Sequence, residues 1–155
     1  MGADMAEAFD YVIVGNSAAG LQALNTLRKH TAEASVAIID REDLPAYSRV
    51  ITPYFVGGKT SRDNLFLVDH DYYRRAGATT LFGRNVVALD AGNRQLELDD
   101  GSRVTFGKLL LATGAEARKL SIASDRSSVL RHMTDAEKLV ELMQGAESIT
   151  AIGAG

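Results

Sequence analysis

Gly15, Ser17 and Gly20, set in the hexapeptide G-N-S-A-A-G, and Asp40, twenty positions past the second glycine, are the residues of this chain whose types and spacing carry chemistry. A glycine at the end of an apolar strand allows a tight turn. A small middle residue lets backbone approach a pyrophosphate, and a glycine inside the following helix lets that helix lie close to the strand. The free amides of the first helical turn, with the helix dipole, attract the anion. Ser17 stands where this pattern usually has glycine; its hydroxyl is small and can donate to a phosphate oxygen. Asp40 lies at the offset from which a carboxylate accepts hydrogen bonds from adenosine ribose hydroxyls, and its charge would repel a 2′-phosphate. The chemistry implied is a grip on FAD or NAD in preference to NADP. The alternative is a strand, turn and helix with incidental glycines.

Those residues need elements to hold them. Phe9 to Val14 is apolar and β-branched, and Ala18, Leu21, Leu24 and Leu27 follow at helical spacing up to Lys29 or His30, where Arg28, Lys29 and His30 suit the negative end of a helix. A second strand, Val36 to Ile39, ends at Asp40. The segment from Arg41 to Gly58 then carries Pro45, Pro53, Gly57 and Gly58 and reads as a loop with a short helical piece. A loop leaving the carboxyl end of a strand is placed to cover a ligand, and Ser48 and Arg49 are its candidates for a phosphate or ring contact. Gly58-Lys59-Thr60 ends like a P-loop, but the glycine that pattern needs five places earlier is Pro53.

Further on, Asp69 to Arg75 reads as an amphipathic helix ended by Gly77, and His70 as a solvated residue on it. Thr79 to Phe82, Asn85 to Leu89, Gln95 to Leu98 and Arg103 to Phe106 read as strands, the last three as an antiparallel meander over about 85–106 with turn chemistry at Asp99 to Ser102. Lys108 to Ala115 is a continuous apolar run ending in small residues. It suits a central strand buried on both faces, with room at its end for another backbone or a cofactor. The expected fold is α/β: a Rossmann-like parallel sheet with helices on both faces and an inserted three-stranded antiparallel meander.

Composition narrows the class. The chain has 155 residues, 46% hydrophobic, with 17 Lys and Arg against 20 Asp and Glu. A net charge of −3 with scattered cations gives no footprint for nucleic acid. Cysteine is absent, which removes disulfides, thiolate metal sites and dithiol chemistry. No apolar run reaches membrane-spanning length and no signal peptide is visible, so the expected setting is the cytoplasm.

The ordered set of G15-N-S-A-A-G20, Asp40, the meander and L110-L-A-T-G-A115 resembles the N-terminal part of the FAD-dependent pyridine nucleotide-disulfide oxidoreductase family. Within it the chain is most similar to the flavin domain of NADH-dependent nitrite reductases and to rubredoxin and ferredoxin reductases, whose flavin-facing loop is similar to A46-Y-S-R-V-I-T-P-Y-F-V-G-G58. The resemblance covers about Asp10 to Gly155. It implies that Gly15, Ser17, Ala18, Ala19 and Gly20 hold the FAD pyrophosphate and Asp40, with Arg41 beside it, the adenosine. Ser48, Arg49 and Pro53 would lie toward the flavin, Val86 and Val87 would give backbone contacts on the adenine side, Ala112, Thr113 and Gly114 would turn against the cofactor, and Arg118 would add a charge. Thiol-using relatives carry a redox cysteine near Val50, and this chain has none.

The C-terminal part fits the same family. Thr134-Asp135-Ala136-Glu137 reads as a capping box opening a helix that ends near Gly145, with His132 as linker, and Ser148 to Gly155 as a strand entering a second glycine-rich turn. The implied layout is that of a truncated two-dinucleotide-domain flavoprotein: an FAD-binding segment over 1–115, a connecting segment and helix over 116–145, and the start of a truncated NAD(P)H-binding domain over 146–155. The implied function is an NAD(P)H-dependent flavoprotein oxidoreductase passing electrons through FAD to an iron-sulfur or haem redox protein or a small acceptor, with no catalytic side chain and no metal here, and a homodimer left open. Two other classes remain: a non-catalytic dinucleotide-sensing module, and a serine hydrolase using Ser17, against which stands Ala19 where a nucleophile elbow needs glycine.

Overall fold

A computed structural model describes residues 6–118, 121 and 127–152. Along the chain run β1 (Glu7–Val14), α1 (Ala18–His30), β2 (Val36–Asp40), α2 (Thr52–Val56), a 3-10 turn at Asp63–Leu65, α3 (His70–Arg75), β3 (Ala78–Phe82), β4 (Val86–Asp90), β5 (Gln95–Leu98), β6 (Arg103–Leu111) and α4 (Met133–Met143). They fall into two compact units. One takes the chain up to Tyr47 together with Phe66–Gly114; the other takes Ser48–Leu65 together with the described residues from Ala115 onward.

The first unit is built on a six-stranded sheet in the order β3-β2-β1-β6-β5-β4. β1 runs parallel to both β2 and β6, and β2 parallel to β3, while β5 is antiparallel to β4 and β6. Alternation along the strands divides the apolar residues between two cores. Ile13, Val36 and Ile38 pack with Leu24 of α1 and Tyr73 of α3. Val12, Val14, Ala37 and Ile39 share the other core with Leu96, Leu98 and Val104. The helical cover expected on both faces is thus supplied on one face by α1 and α3, and on the other by side chains of the meander strands. Either way the central parallel strands are covered twice, which is why β1 and β2 read as apolar runs.

The third meander strand and the apolar run after it, expected as separate strands, are one strand, β6. Its first part pairs with β5 through Arg103–Thr105, and it runs beside β1 from Glu7↔Val104 to Val14↔Leu111. Gly107 does not break it. A Cβ there would lie 2.7 Å from the carbonyl oxygen of Asp10, so the glycine answers to the close approach of β1. Past Thr105, β1 is the one described strand paired to β6, and Leu110 and Leu111 are exposed, so the expected burial on both faces does not extend to that end.

Arg28 staples the far end of this unit. Its guanidinium donates to the carbonyls of Thr31, Ala32 and Ala34 beyond α1 and to those of Ala76 and Gly77 beyond α3. That is more specific than the dipole role expected of it.

In the second unit α2 packs on α4, with Thr52, Leu65, Met133 and Ala136 buried. α4 starts earlier than expected. Its N-cap is His132, and the Asp135 carboxylate accepts from the amides of Arg131 and His132, so Asp135 closes the helix end in place of the Thr134 and Glu137 box. Glu137 instead pairs with Arg62 at 2.7 Å. Residues 148–152 are irregular, with Ile149 and Ile152 exposed. No described strand lies against them, and a strand needs a ladder partner. The glycine-rich turn expected at 153–155 lies outside the described residues. No helix among the described residues is long and apolar enough to cross a membrane.

Candidate functional site

The carboxyl ends of β1, β2 and β6 meet at one turn. The Gly15 amide donates to the Ile39 carbonyl at 2.8 Å, and the Ala112 amide to the Val14 carbonyl at 2.8 Å. Gly15 has φ +112°, which L side chains rarely adopt, and a Cβ on it would run into the Ala112 carbonyl oxygen. A Cβ on Gly20 would run into the carbonyl oxygen of Gly15. Both glycines are therefore required by backbone packed on backbone: Gly15 by β6, Gly20 by the turn itself. The room expected beside the small residues after Leu111 is filled by the Gly15 backbone.

What this leaves open is the start of α1. Ser17 is the N-cap in extended conformation, and its side chain makes no capping hydrogen bond. Leu21 N–H is the first amide to bond within the helix, to the Ser17 carbonyl at 2.9 Å, so those of Ala18, Ala19 and Gly20 lack intrahelical partners. Ala18 and Ala19 are exposed. The first turn holds no acid, while Arg28, Lys29 and His30 crowd the last. A site with bare amides, an undiminished positive end and an unengaged hydroxyl is chemically suited to an anion.

Asp40 stands beside it. Its Oδ2 accepts from the Asn16 amide at 2.5 Å and its Oδ1 from the Glu42 amide at 2.9 Å. Asn16, within the glycine motif, is 5% exposed and hydrogen-bonded through both its side-chain nitrogen and oxygen. Its Nδ2 donates to the Leu44 carbonyl at 3.1 Å, and its Oδ1 accepts from the Tyr73 hydroxyl at 2.8 Å. The same hydroxyl accepts from the Ala46 amide at 2.9 Å. Burial pushes the Tyr73 hydroxyl pKa up, against the lowering effect of Ala46 and Asn16, so the group stays protonated and donating. In sequence Tyr73 is legible only as part of an amphipathic helix; a partner 57 residues away leaves no local signal.

The first unit thus brings together Gly15, Ser17, Ala18, Ala19, Gly20, Asp40 and Ala112, with Thr113 and Gly114 continuing from β6. Arg41 follows Asp40 and is exposed. Val86 and Val87 lie on the edge strand β4, where a bulge between Val86 and Ala88 takes Val87 out of the ladder. Ser48, Arg49, Pro53 and Arg118 belong to the second unit. There the Ser48 amide donates to Leu65 at 2.8 Å, Arg49 Nε donates to the Arg131 carbonyl at 3.2 Å, and Pro53 sits in the first turn of α2. Arg118 is exposed. No group of three or more His, Cys, Asp or Glu among the described residues could hold a metal ion.

Comparison with known proteins identifies the family. The family model for pyridine nucleotide-disulphide oxidoreductases matches residues 9–155. The epsilon subunit of the NADH-dependent phenylglyoxylate dehydrogenase of Aromatoleum evansii is 37% identical over 148 residues, 94% of this chain and 35% of that protein. The ferredoxin–NAD(+) reductase component of the biphenyl dioxygenase system of Paraburkholderia xenovorans is 30% identical over 92% of this chain and 36% of its own length. Among solved structures, putidaredoxin reductase in its covalent complex with putidaredoxin superposes with a TM-score of 0.77 at 27% identity, over 86% of this chain and 34% of that one. The chain spans about a third of the length of the curated relatives it matches.

Proposed function

The chain belongs to the pyridine nucleotide-disulphide oxidoreductase family, and from that membership we propose that it is the FAD-binding segment of an NAD(P)H-dependent flavoprotein reductase serving an iron-sulfur or haem redox protein. One observation carries the reading: the glycine turn, closed on Ala112 from behind, leaves the first amides of α1 open beside the Asp40 carboxylate. A pyrophosphate suits the amides, and a ribose diol suits a carboxylate with acceptor capacity left over.

In this reading Ser17, Ala18, Ala19 and Gly20 hold the pyrophosphate, with Gly15 shaping the turn. Asp40 takes the ribose hydroxyls, and the exposed Arg41 lies next to the adenosine. The backbone of the Val86 and Val87 bulge serves the adenine side, and Ala112 to Gly114 line the approach to the cofactor. Ser48, Arg49, Pro53 and Arg118 serve the flavin side. When bound, FAD supplies the redox chemistry, accepting hydride from NAD(P)H and yielding electrons to the acceptor. The side chains named bind and orient; none acts as acid, base or nucleophile. With no cysteine in the chain, none of its residues performs thiol chemistry. The reading keeps the layout of an FAD segment over 1–115, a connecting stretch over 116–145 and an NAD(P)H domain opening at 146–155, and a cytoplasmic setting. The names of two relatives, a ferredoxin reductase and putidaredoxin reductase with its redox partner, support the kind of acceptor.

The test is spectral. The intact protein, purified, is expected to show a flavin spectrum that bleaches anaerobically on adding NADH or NADPH and returns on adding an oxidised iron-sulfur or haem protein. A folded protein that is colourless and gives no heat with FAD in calorimetry overturns the reading.

A further inference from the structure

Asn16 and Tyr73 are polar, lie in the core, and are bonded to each other, to the glycine turn and to the segment after β2. We propose that they are positioning residues for the dinucleotide: a buried ring of hydrogen bonds that fixes the glycine turn and the 41–46 segment as one rigid seat. The inference rests on the reading of this turn as a cofactor site.

The ring closes as follows. The Tyr73 hydroxyl, from α3, donates to Asn16 Oδ1 and accepts from the Ala46 amide, while Asn16 Nδ2 returns to the Leu44 carbonyl. Asp40 extends the ring, since its carboxylate receives the amides of Asn16 and Glu42. Residue 16 is therefore held by backbone and side chain at once, one position before Ser17 and two before the open amides of α1. Three separate stretches of chain, the 41–46 segment, α3 and the end of β2, converge on it.

A buried polar group gains little from a partner that water could replace, but loses much when left unpaired. At 5% exposure for Asn16 and 1% for Tyr73, water is not a ready substitute, so the ring specifies one arrangement of the turn. Without the hydroxyl, Asn16 Oδ1 and Ala46 N–H lose their partner and the turn samples other arrangements. Apparent affinity falls in proportion to the fraction of molecules still competent to bind. The Tyr73 ring itself packs edge-on against Tyr72 and Phe82, so Tyr73→Phe removes the hydroxyl and keeps the packing.

The experiment measures FAD binding to apoprotein by calorimetry, with thermal unfolding of the same samples, for the intact protein, Tyr73→Phe, Asn16→Ala, the double variant and Leu96→Ala. Leu96 lies in the core cluster that does not contain Tyr73, so its truncation lowers stability without touching the ring. The expected result is an FAD dissociation constant raised about tenfold or more in Tyr73→Phe, as for a competent fraction reduced to a tenth. Leu96→Ala should lose stability but keep its affinity. Asn16→Ala and the double variant should lose no more than a shared ring allows, a clear departure from additivity. Unchanged affinity in Tyr73→Phe, equal loss in an equally destabilised Leu96→Ala, or additive effects of the two ring substitutions would overturn the inference while leaving the FAD reading standing. If the unsubstituted protein binds no FAD, that reading fails and the inference goes with it.

Discussion

Replacing Gly20 by alanine tests the glycine turn most directly. A new Cβ would run into the Gly15 carbonyl oxygen and also lie 3.0 Å from its carbonyl carbon and 3.4 Å from Ile13 Cγ2. None of the first two can yield, because Gly15 is bonded through its amide to Ile39 and backed by Ala112. The helix must move off the turn. Overpacking of this kind costs about 1–3 kcal/mol, against a gain of about 1 kcal/mol for exchanging glycine for alanine within a helix. The net loss of stability should be about 1 kcal/mol or slightly more, by the same two principles. The larger effect should fall on FAD, because the displaced amides are the proposed pyrophosphate ligands: an affinity loss of about a hundredfold, the equivalent of about 2.8 kcal/mol. Gly107→Ala is the matched control. Its Cβ would meet the Asp10 carbonyl oxygen at 2.7 Å, again backbone on backbone, but Asp10 lies about 17 Å along β1 from Gly15 at roughly 3.4 Å per residue. Calorimetric titration of apoprotein with FAD, beside thermal melts, should show Gly107→Ala losing stability alone and Gly20→Ala losing affinity out of proportion to stability. Wild-type affinity in Gly20→Ala would refute the argument from close approach.

Asp40→Asn should weaken FAD binding about tenfold by calorimetry, in line with the loss of about 1.4 kcal/mol from a charge-assisted hydrogen bond. Arg28→Met should lower unfolding free energy by about 2 kcal/mol in urea titrations, because five carbonyls at the ends of α1 and α3 lose a shared donor; FAD affinity should not change. The Ser35 amide and then its hydroxyl hold the Asp10 carboxyl below its ordinary value of 3.8. A lowered folded-state pKa adds stability that is complete above the unfolded value and disappears as pH falls through the folded one. Asp10→Asn should therefore differ from the parent protein in thermal melts near neutral pH, and the difference should close below pH 3.8.

The parts legible in sequence were those written locally. β1, α1, β2 and β5 fall close to where alternation and helical spacing put them, because each presents its apolar residues to a defined core. β6 was divided in two because Gly107 looks like a break, and only its neighbour shows why a glycine is needed there. The cap of α4 was misplaced by two residues because the Thr134 and Glu137 pattern is locally as good as the one chosen; Arg62, far away in sequence, takes Glu137 for itself. Asn16 and Tyr73 were missed for a related reason. An asparagine inside a glycine motif is read as a turn residue, and a tyrosine on a short helix as an apolar one, until the fold brings them together.

The spacing between the turn and its acid is a result of the sheet. Parallel pairing sets Val14 beside Ile39, so Gly15, just past the end of β1, and Asp40, the last residue of β2 and still paired with Phe82 of β3, stand at the same level. A carboxylate there reaches the next amide, that of Asn16, whatever lies outside, and it does so before any ligand is considered. An ionised carboxylate has about four acceptor positions; the amides of Asn16 and Glu42 use two. The remaining two match in number the two donors of the ribose diol proposed to sit there. On the proposed reading the same side chain fixes the shape of the turn and recognises what sits in it, so a shorter or longer α1 with the same register would keep the geometry, and a one-residue slip between β1 and β2 would lose both together.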